Sequence, residues 1–375
     1  MTAPVDGLLQ GTADARLDEV VTRLAGFLAA DPDLSFQAAA FHDGIAVLDV
    51  WGGPHLRDDS VMVPYSVTKN TIGLSIALLV ERGELDLDAL VALFWPEFAA
   101  HGKGGVTVRQ LLSHQAGLPQ ATPALEWDEL LDHHRAAERL AASPPFWEPG
   151  SAFGYHAVTI GNLASELVFR VTGRTLHEYY EQEIRAPHGI DFFLGLPPEL
   201  DARRSPTLPM IRPVADASPA FDSILGPIVF GDLGSFDLAN DERSWRFGHP
   251  AGSGIGTARG LARLFAAAVT GVDGAEPFLS ADTVFAVGSQ QVSGYDQVLG
   301  QPLRAHSIVF QKPTPQLAFG GPRAFGHDGA MGALACVDPD TGVAFAWTIA
   351  RGPWPGGADP RAVGLARDLG RILSS

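Results

Sequence analysis

Cysteine is almost missing from this chain. Cys336 stands alone, which excludes an intramolecular disulfide and a multi-cysteine zinc site, and the usage suits a reducing compartment. Lysine is nearly as scarce: Lys69, Lys103 and Lys312 stand against 23 arginines. Arginine stays protonated at any useful pH, so few residues here could serve as an amine base. No run of basic residues interrupts a formal charge of −17, which excludes nucleic acid as the expected partner. Long apolar runs are absent too. The stretch Ile72 to Val80 falls well short of the roughly 20 residues that span a bilayer. Residues 1–20 hold no basic segment followed by an apolar core, so the expectation is a cytoplasmic protein without a membrane partner. No heptad pattern sets an oligomeric state, which stays open.

What is present is ample core material. With 46% hydrophobic residues in 375, the chain has room for one large domain or two moderate ones. Apolar positions at Leu17, Val20, Val21, Leu24, Phe27 and Leu28 have helical spacing, predicting an amphipathic helix over 14–29. Two apolar runs, 37–41 and 45–51, flank His42-Asp43-Gly44 and predict a hairpin. A helical pattern over 66–82 follows Pro64 and ends at Gly83. Helices are expected at 106–113, 158–172 and 257–270, and long loops at 197–250 and 277–302. A second hairpin, 332–337 with 343–350, closes through Asp338-Pro339-Asp340-Thr341-Gly342, and a last helix covers 359–373. The expected class is α+β. Residues 1–83 and 251–375 would form an antiparallel sheet flanked by terminal helices, residues 84–250 a mostly helical domain, and the crevice between them the site.

Ser66 and Lys69 lie three apart in Pro64-Tyr65-Ser66-Val67-Thr68-Lys69, at the start of a helix. That spacing puts both side chains on one face. Free N–H groups and the positive end of the dipole favour a developing alkoxide there. A serine needs a base, and a lysine neutralised by burial can provide it. A surface lysine in the first turn would oppose the dipole, and the face that follows is almost entirely apolar, so decoration is the poorer explanation. Tyr155 sits after the turn-rich Glu148-Pro149-Gly150-Ser151, where its phenol could exchange protons with serine or leaving group. Phe325-Gly326-His327-Asp328-Gly329-Ala330 leads into the C-terminal hairpin, with glycines that permit close backbone approach and an N–H able to join Ser66 N–H in an oxyanion hole.

Other constellations carry less. His133-His134 are adjacent, so they fall on different helix faces, make a poor metal pair and read as solvated surface. Neither H-E-x-x-H nor G-x-S-x-G occurs, which leaves a zinc hydrolase or an α/β-hydrolase without support. Residues 252–256 read as a loop at a helix start. Trp127, Trp147 and Trp245 are candidates for lining an acyl pocket.

In this order, Ser66-Val67-Thr68-Lys69, Tyr155 and His327-Asp328-Gly329 resemble the S-x-x-K, Y-x-N and K-T-G motifs of serine hydrolases with the β-lactamase and penicillin-binding-protein fold. The resemblance is greatest to class C β-lactamases and family VIII carboxylesterases. It runs from about Phe36 to Ile349 and includes Leu111-Leu112-Ser113-His114-Gln115-Ala116-Gly117-Leu118-Pro119 and Gly256-Thr257-Ala258-Arg259-Gly260-Leu261-Ala262. It implies a β-lactamase/transpeptidase-like fold and a nucleophilic Ser66, with Lys69 and Tyr155 sharing proton transfer and no cofactor or metal. It further implies an oxyanion hole from the N–H groups of Ser66 and Ala330, and substrate contacts from His327, Asp328 and Gly329. Two departures bear on the substrate: Ala157 replaces the asparagine of Y-x-N, and His327 replaces the lysine of K-T-G. A neutral histidine beside Asp328 is a poor seat for a substrate carboxylate. The expectation is a carboxylesterase acting on simple, short-chain small-molecule esters. A β-lactamase, D-amino peptidase or amidase, an acyltransferase, or a non-catalytic protein that kept the fold are the alternatives.

Overall fold

The computed structural model describes residues 2–5, 7–213, 223–230 and 237–374. Seven antiparallel strands form the main sheet: β1 (Thr2–Val5), β2 (Leu9–Asp14), β3 (Phe36–His42), β4 (Ile45–Gly52), β5 (Phe325–Asp328), β6 (Leu334–Asp338) and β7 (Val343–Ile349). Their order is β1-β2-β4-β3-β7-β6-β5, so β3 and β7 from opposite ends of the chain pair at the centre. The first hairpin turns at Asp43 and Gly44, with φ of 47° and 77°. Two successive positive values suit a tight turn that follows strand twist.

Side-chain alternation gives the sheet two different faces. Ala39, Phe41, Ala335, Val337, Ala344 and Ala346 face a core shared with the helical part of the chain. Small residues there let helix α4 (Ala258–Val269), capped by Thr257, lie close over β3 and β7. The same core continues without a break through α2 (Lys69–Glu81) and α3 (Thr159–Thr172). On the opposite face Phe36, Ala38, Ala40, Leu334, Cys336, Phe345 and Trp347 pack under α1 (Asp18–Ala30) and α5 (Pro360–Leu373). Phe36 and Trp347 stack there at 4.2 Å between centroids. Cys336 is a buried core residue, and burial pushes its thiol above the ordinary range.

The structure departs from the sequence expectations in places. Strands β1 and β2 precede α1, and Asp14 ends β2 and caps a short 3₁₀ turn, Ala15–Leu17, instead of opening the helix. Inside the expected loop 277–302 lie a helix, Ala281–Gly288, and a strand, Val292–Asp296, which pairs with Gln301–His306. Inside the expected loop 197–250 lie helices Leu225–Phe230 and Glu242–Phe247; its positions 214–222 and 231–236 fall outside the described residues. Residues 255–256 form a short strand. No helix among the described residues is long and apolar enough to cross a membrane.

One packing detail ties the core to the helix that carries Lys69. Gly73 lies one turn further on, and a Cβ there would stand 2.3 Å from Phe310 Cζ. Gly73→Val should therefore cost about 1–3 kcal/mol from overpacking. It should lower turnover as well, because α2 must shift; Phe310→Leu in the same chain should recover part of both. Urea unfolding and kcat on the two variants check this.

Candidate active site

The chain reaches the site through a strained turn. Tyr65 has φ of 54°, a conformation costing about 1–3 kcal/mol in a residue with a Cβ. It turns the backbone into a 3₁₀ segment, Tyr65–Thr68, which runs straight into α2 at Lys69. Ser66 lies within that 3₁₀ segment, and no side-chain cap hydrogen bond is made at the start of α2. The Ser66 hydroxyl instead faces two partners. Lys69 Nζ is 3.1 Å from Ser66 Oγ, and Tyr155 Oη is 2.9 Å from it.

Lys69 is completely buried. Its amine also donates to the carbonyls of Ala157, at 2.7 Å, and Ala251, at 2.6 Å. Burial lowers its pKa well below the ordinary lysine value, with the Asp328 charge opposing. The alanine at the Y-x-N position therefore still meets Lys69, through its backbone. The glycine-rich stretch 252–256 follows the second carbonyl.

Tyr155 lies in the loop before α3. Its hydroxyl is 3.5 Å from His327 Nε2. Burial raises the phenol pKa far above the ordinary value, with the Ser66 hydrogen bond opposing, so the hydroxyl is protonated. His327 ends the buried part of β5, and its Nδ1–H donates to the Asp328 carbonyl at 2.7 Å. That bond assigns the proton to Nδ1 and leaves the Nε2 lone pair towards Tyr155. Burial, then the Lys69 charge, holds His327 well below the usual histidine pKa, so it is neutral. Asp328 is held inward by Gln311 Nε2, at 2.8 Å, and the Ala358 N–H, at 3.2 Å.

The glycines of this segment admit the protein's own backbone. A Cβ on Gly326 would stand 2.2 Å from the Ala335 carbonyl, and one on Gly329 2.2 Å from the Pro64 carbonyl. Gly329 thereby brings Ala330 alongside the Ser66 turn. Among the described residues no acceptor takes the Ala330 N–H.

Some residues around Tyr155 escaped the sequence reading. Asp296 is fully buried and accepts the Tyr155 N–H on both oxygens at 3.1 Å, along with the N–H groups of Val298 and Leu299. It joins the hairpin 292–306 to the tyrosine. His114, with φ of 66°, accepts the Gly154 N–H on its carbonyl and the His156 N–H on Nδ1. His156 in turn donates to the Gly154 carbonyl and accepts the Leu118 N–H. His114, His156, His306 and His327 are all buried. The rings of His114, His306 and His327 lie 5.3, 6.1 and 5.8 Å from that of Tyr155. Burial pushes His156 down to about 4, and His114 and His306 well below the usual value. The available signal was position alone: His114 lies in the 111–119 stretch and His156 follows Tyr155.

The remaining candidates scatter. Trp147 packs with Tyr155, Ala157, Val229 and Val298. Trp245 packs in a cluster that Tyr65 adjoins, while Trp127 packs against the large core. His134 is exposed and pairs with Glu166 at 2.9 Å. His133 is not solvated as expected: it turns inward against His177 and Phe247, and burial pushes it down to about 3. Among the described residues no cluster of three metal-ligating side chains is found.

Comparison with known proteins places this arrangement. The beta-lactamase family model matches residues 24–368. The esterase/beta-lactamase LipL of Mycobacterium tuberculosis is 34% identical over 364 residues, 90% of this chain and 81% of that protein. The structure of EstA from Arthrobacter nitroguajacolicus Rue61a superposes with a TM-score of 0.90 at 39% identity, covering 96% of this chain and 98% of EstA. A family VIII carboxylesterase superposes with a TM-score of 0.87 at 30% identity, covering 96% and 99%.

Two outcomes follow. Asp296→Ala should leave backbone donors unpaired, at about 1–3 kcal/mol for each that water fails to reach. It should also lower kcat more than it raises KM; Asp296→Asn, which keeps an acceptor oxygen, should be milder. The histidines give a pH signature. Unfolded imidazoles bind protons below the ordinary 6.5, whereas His156 in the folded chain does not until about 4. In that window the unfolded state holds more protons, so stability should fall as pH drops from 6.5 towards 4. Thermal unfolding across that range reads it.

Proposed function

Because the chain belongs to the beta-lactamase family, we propose that it is a serine carboxylesterase that hydrolyses small-molecule esters through an acyl-enzyme on Ser66. The observation that carries this reading is the valence of Lys69. A neutral amine has two N–H bonds and one lone pair. Two carbonyls, of Ala157 and Ala251, take the N–H bonds. The lone pair is left for the Ser66 hydroxyl 3.1 Å away. Lys69 is then the base, and the protonated Tyr155 is the acid.

In the first half-reaction Lys69 takes the Ser66 proton while Oγ attacks the ester carbonyl carbon. The N–H groups of Ser66 and Ala330 receive the developing oxyanion. As the carbon–oxygen bond breaks, the leaving alkoxide takes the Tyr155 proton, which the Lys69 ammonium restores. Water then attacks the acyl carbonyl with the same groups acting in reverse, freeing the acid and Ser66. His327 accepts from or orients the Tyr155 hydroxyl through Nε2. The esterase names carried by EstA, LipL and the family VIII enzyme support the substrate class. So does His327: a neutral imidazole stands where a fixed cation would hold a lactam's carboxylate.

A fluorophosphonate probe should add once to the wild-type chain, by intact mass, and not to Ser66→Ala, whose turnover of p-nitrophenyl butyrate should fall about 1,000-fold or more. Turnover of a chromogenic cephalosporin at a comparable rate would count against the ester assignment. An acyl transfer product in the presence of added alcohol would identify the transferase alternative. Activity needs Lys69 neutral, so kcat/KM should rise with pH along a limb whose midpoint lies well below 10.5. Lys69→Arg, permanently charged, should remove activity at every pH.

A further inference from the structure

Most arginines of this chain have an evident partner. Among the described residues, the side chains of Arg304 and Arg371 make no ion pair, hydrogen bond or aromatic contact. Arg371 is exposed in the last turn of α5, where a cation complements the helix dipole. Arg304 has no such explanation. It is half-buried on the strand Gln301–His306.

Its surroundings point to the active site. Arg304 and His306 are two residues apart on one strand, so they share a face, and the His306 ring stacks towards Tyr155. The residue opposite Arg304 is Gly294, and a Cβ there would meet nothing within 4 Å, so the strand that pairs with Arg304 leaves open space at that position. Leu303, immediately before it, has φ of 59°, a strained setting for a leucine. Behind burial, the Arg304 charge contributes to the lowered pKa of His306 and, behind burial and Lys69, of His327. Asp296 feels the Arg304 charge, which opposes the rise that burial gives its pKa, but makes no direct ion pair with it; its oxygens accept three backbone N–H groups.

We propose that Arg304 is an anion-recognition residue at the entrance to the active site, and that the preferred substrates are esters bearing a second, free carboxylate on the acyl portion, such as monoesters of dicarboxylic acids. A half-buried guanidinium with unspent donors suits a carboxylate, which it can bind through two parallel N–H bonds. The position differs from that of His327, whose neutrality makes it a poor anion seat. Hydrolysis adds water across the ester bond, releases the alcohol and leaves a dicarboxylate. The inference rests on the esterase reading above.

The test compares monomethyl adipate with methyl hexanoate, which have equal acyl length, by pH-stat titration. Wild-type kcat/KM should favour the adipate ester by about tenfold or more, the scale of one charged hydrogen-bonded pair. The ratio should collapse in Arg304→Gln and partly return in Arg304→Lys. No wild-type preference, or an equal loss for both esters in Arg304→Gln, would overturn the proposal. A measurement needing no variant stands beside it: adipate should inhibit p-nitrophenyl butyrate hydrolysis competitively and more strongly than hexanamide, and added salt should narrow the difference. Equal inhibition would overturn the assignment while p-nitrophenyl butyrate turnover and the Ser66 adduct left the esterase reading standing; absence of both would remove the two together.

Discussion

Everything at the site depends on one amine being kept out of water. A lysine held without a counter-ion in a closed interior loses its proton instead of its place, because the charged form has nowhere to be solvated. Lys69 meets this condition with two backbone carbonyls and a serine hydroxyl, and with no carboxylate in contact. The two carbonyls come from separate stretches of chain, residue 157 before α3 and residue 251 before α4. Only a folded arrangement of three helices around one apolar core can bring them to the same nitrogen. The chain's small number of lysines fits this use. Lys103 and Lys312 are buried too, and each donates to backbone carbonyls.

Tyr155 imposes the complementary requirement. Its phenol must remain protonated until a leaving group needs the proton, so the surroundings must offer no positive charge strong enough to ionise it. Four buried neutral imidazoles fill that space, and burial keeps them uncharged. Neutral histidines supply hydrogen-bonding atoms without a full charge, which lysine or arginine could not do. The backbone of the tyrosine is secured separately by Asp296 from one side and His114 from the other. The ring is therefore placed by contacts that leave its hydroxyl free to face Ser66.

Local patterns made much of this legible in the sequence. Helical spacing located α1, α2, α3, α4 and α5, the Asp43-Gly44 turn located the first hairpin, and the order of three short motifs located Ser66, Lys69, Tyr155 and the His327 segment. What escaped depends on long-range placement. β1 and β2 are short and largely exposed at their outer positions, and are recognisable as strands only because β4 is there to pair with β2. The hairpin 292–306 is interrupted by a register shift between Gly294 and Asp296, so its alternation never shows in the sequence. Asp296 looks like any turn aspartate until the fold delivers Tyr155 to it across 141 positions. The role of Gly329 was visible as permissiveness, but that the approaching backbone is the protein's own, at Pro64, is a property of the packed structure.

The same logic decides how charge is distributed around the reacting atoms. A fixed cation in the position of His327 would stand 3.5 Å from the phenol, favour its ionisation and oppose the role of acid. The neutral histidine preserves that role at the cost of an anion seat close to Ser66. Moving positive charge outward along the hairpin strand to Arg304 separates the two demands. The proton chemistry keeps a charge-poor interior, while a charged part of a substrate can still be met at the half-buried rim, where the guanidinium offers its planar fork of donors.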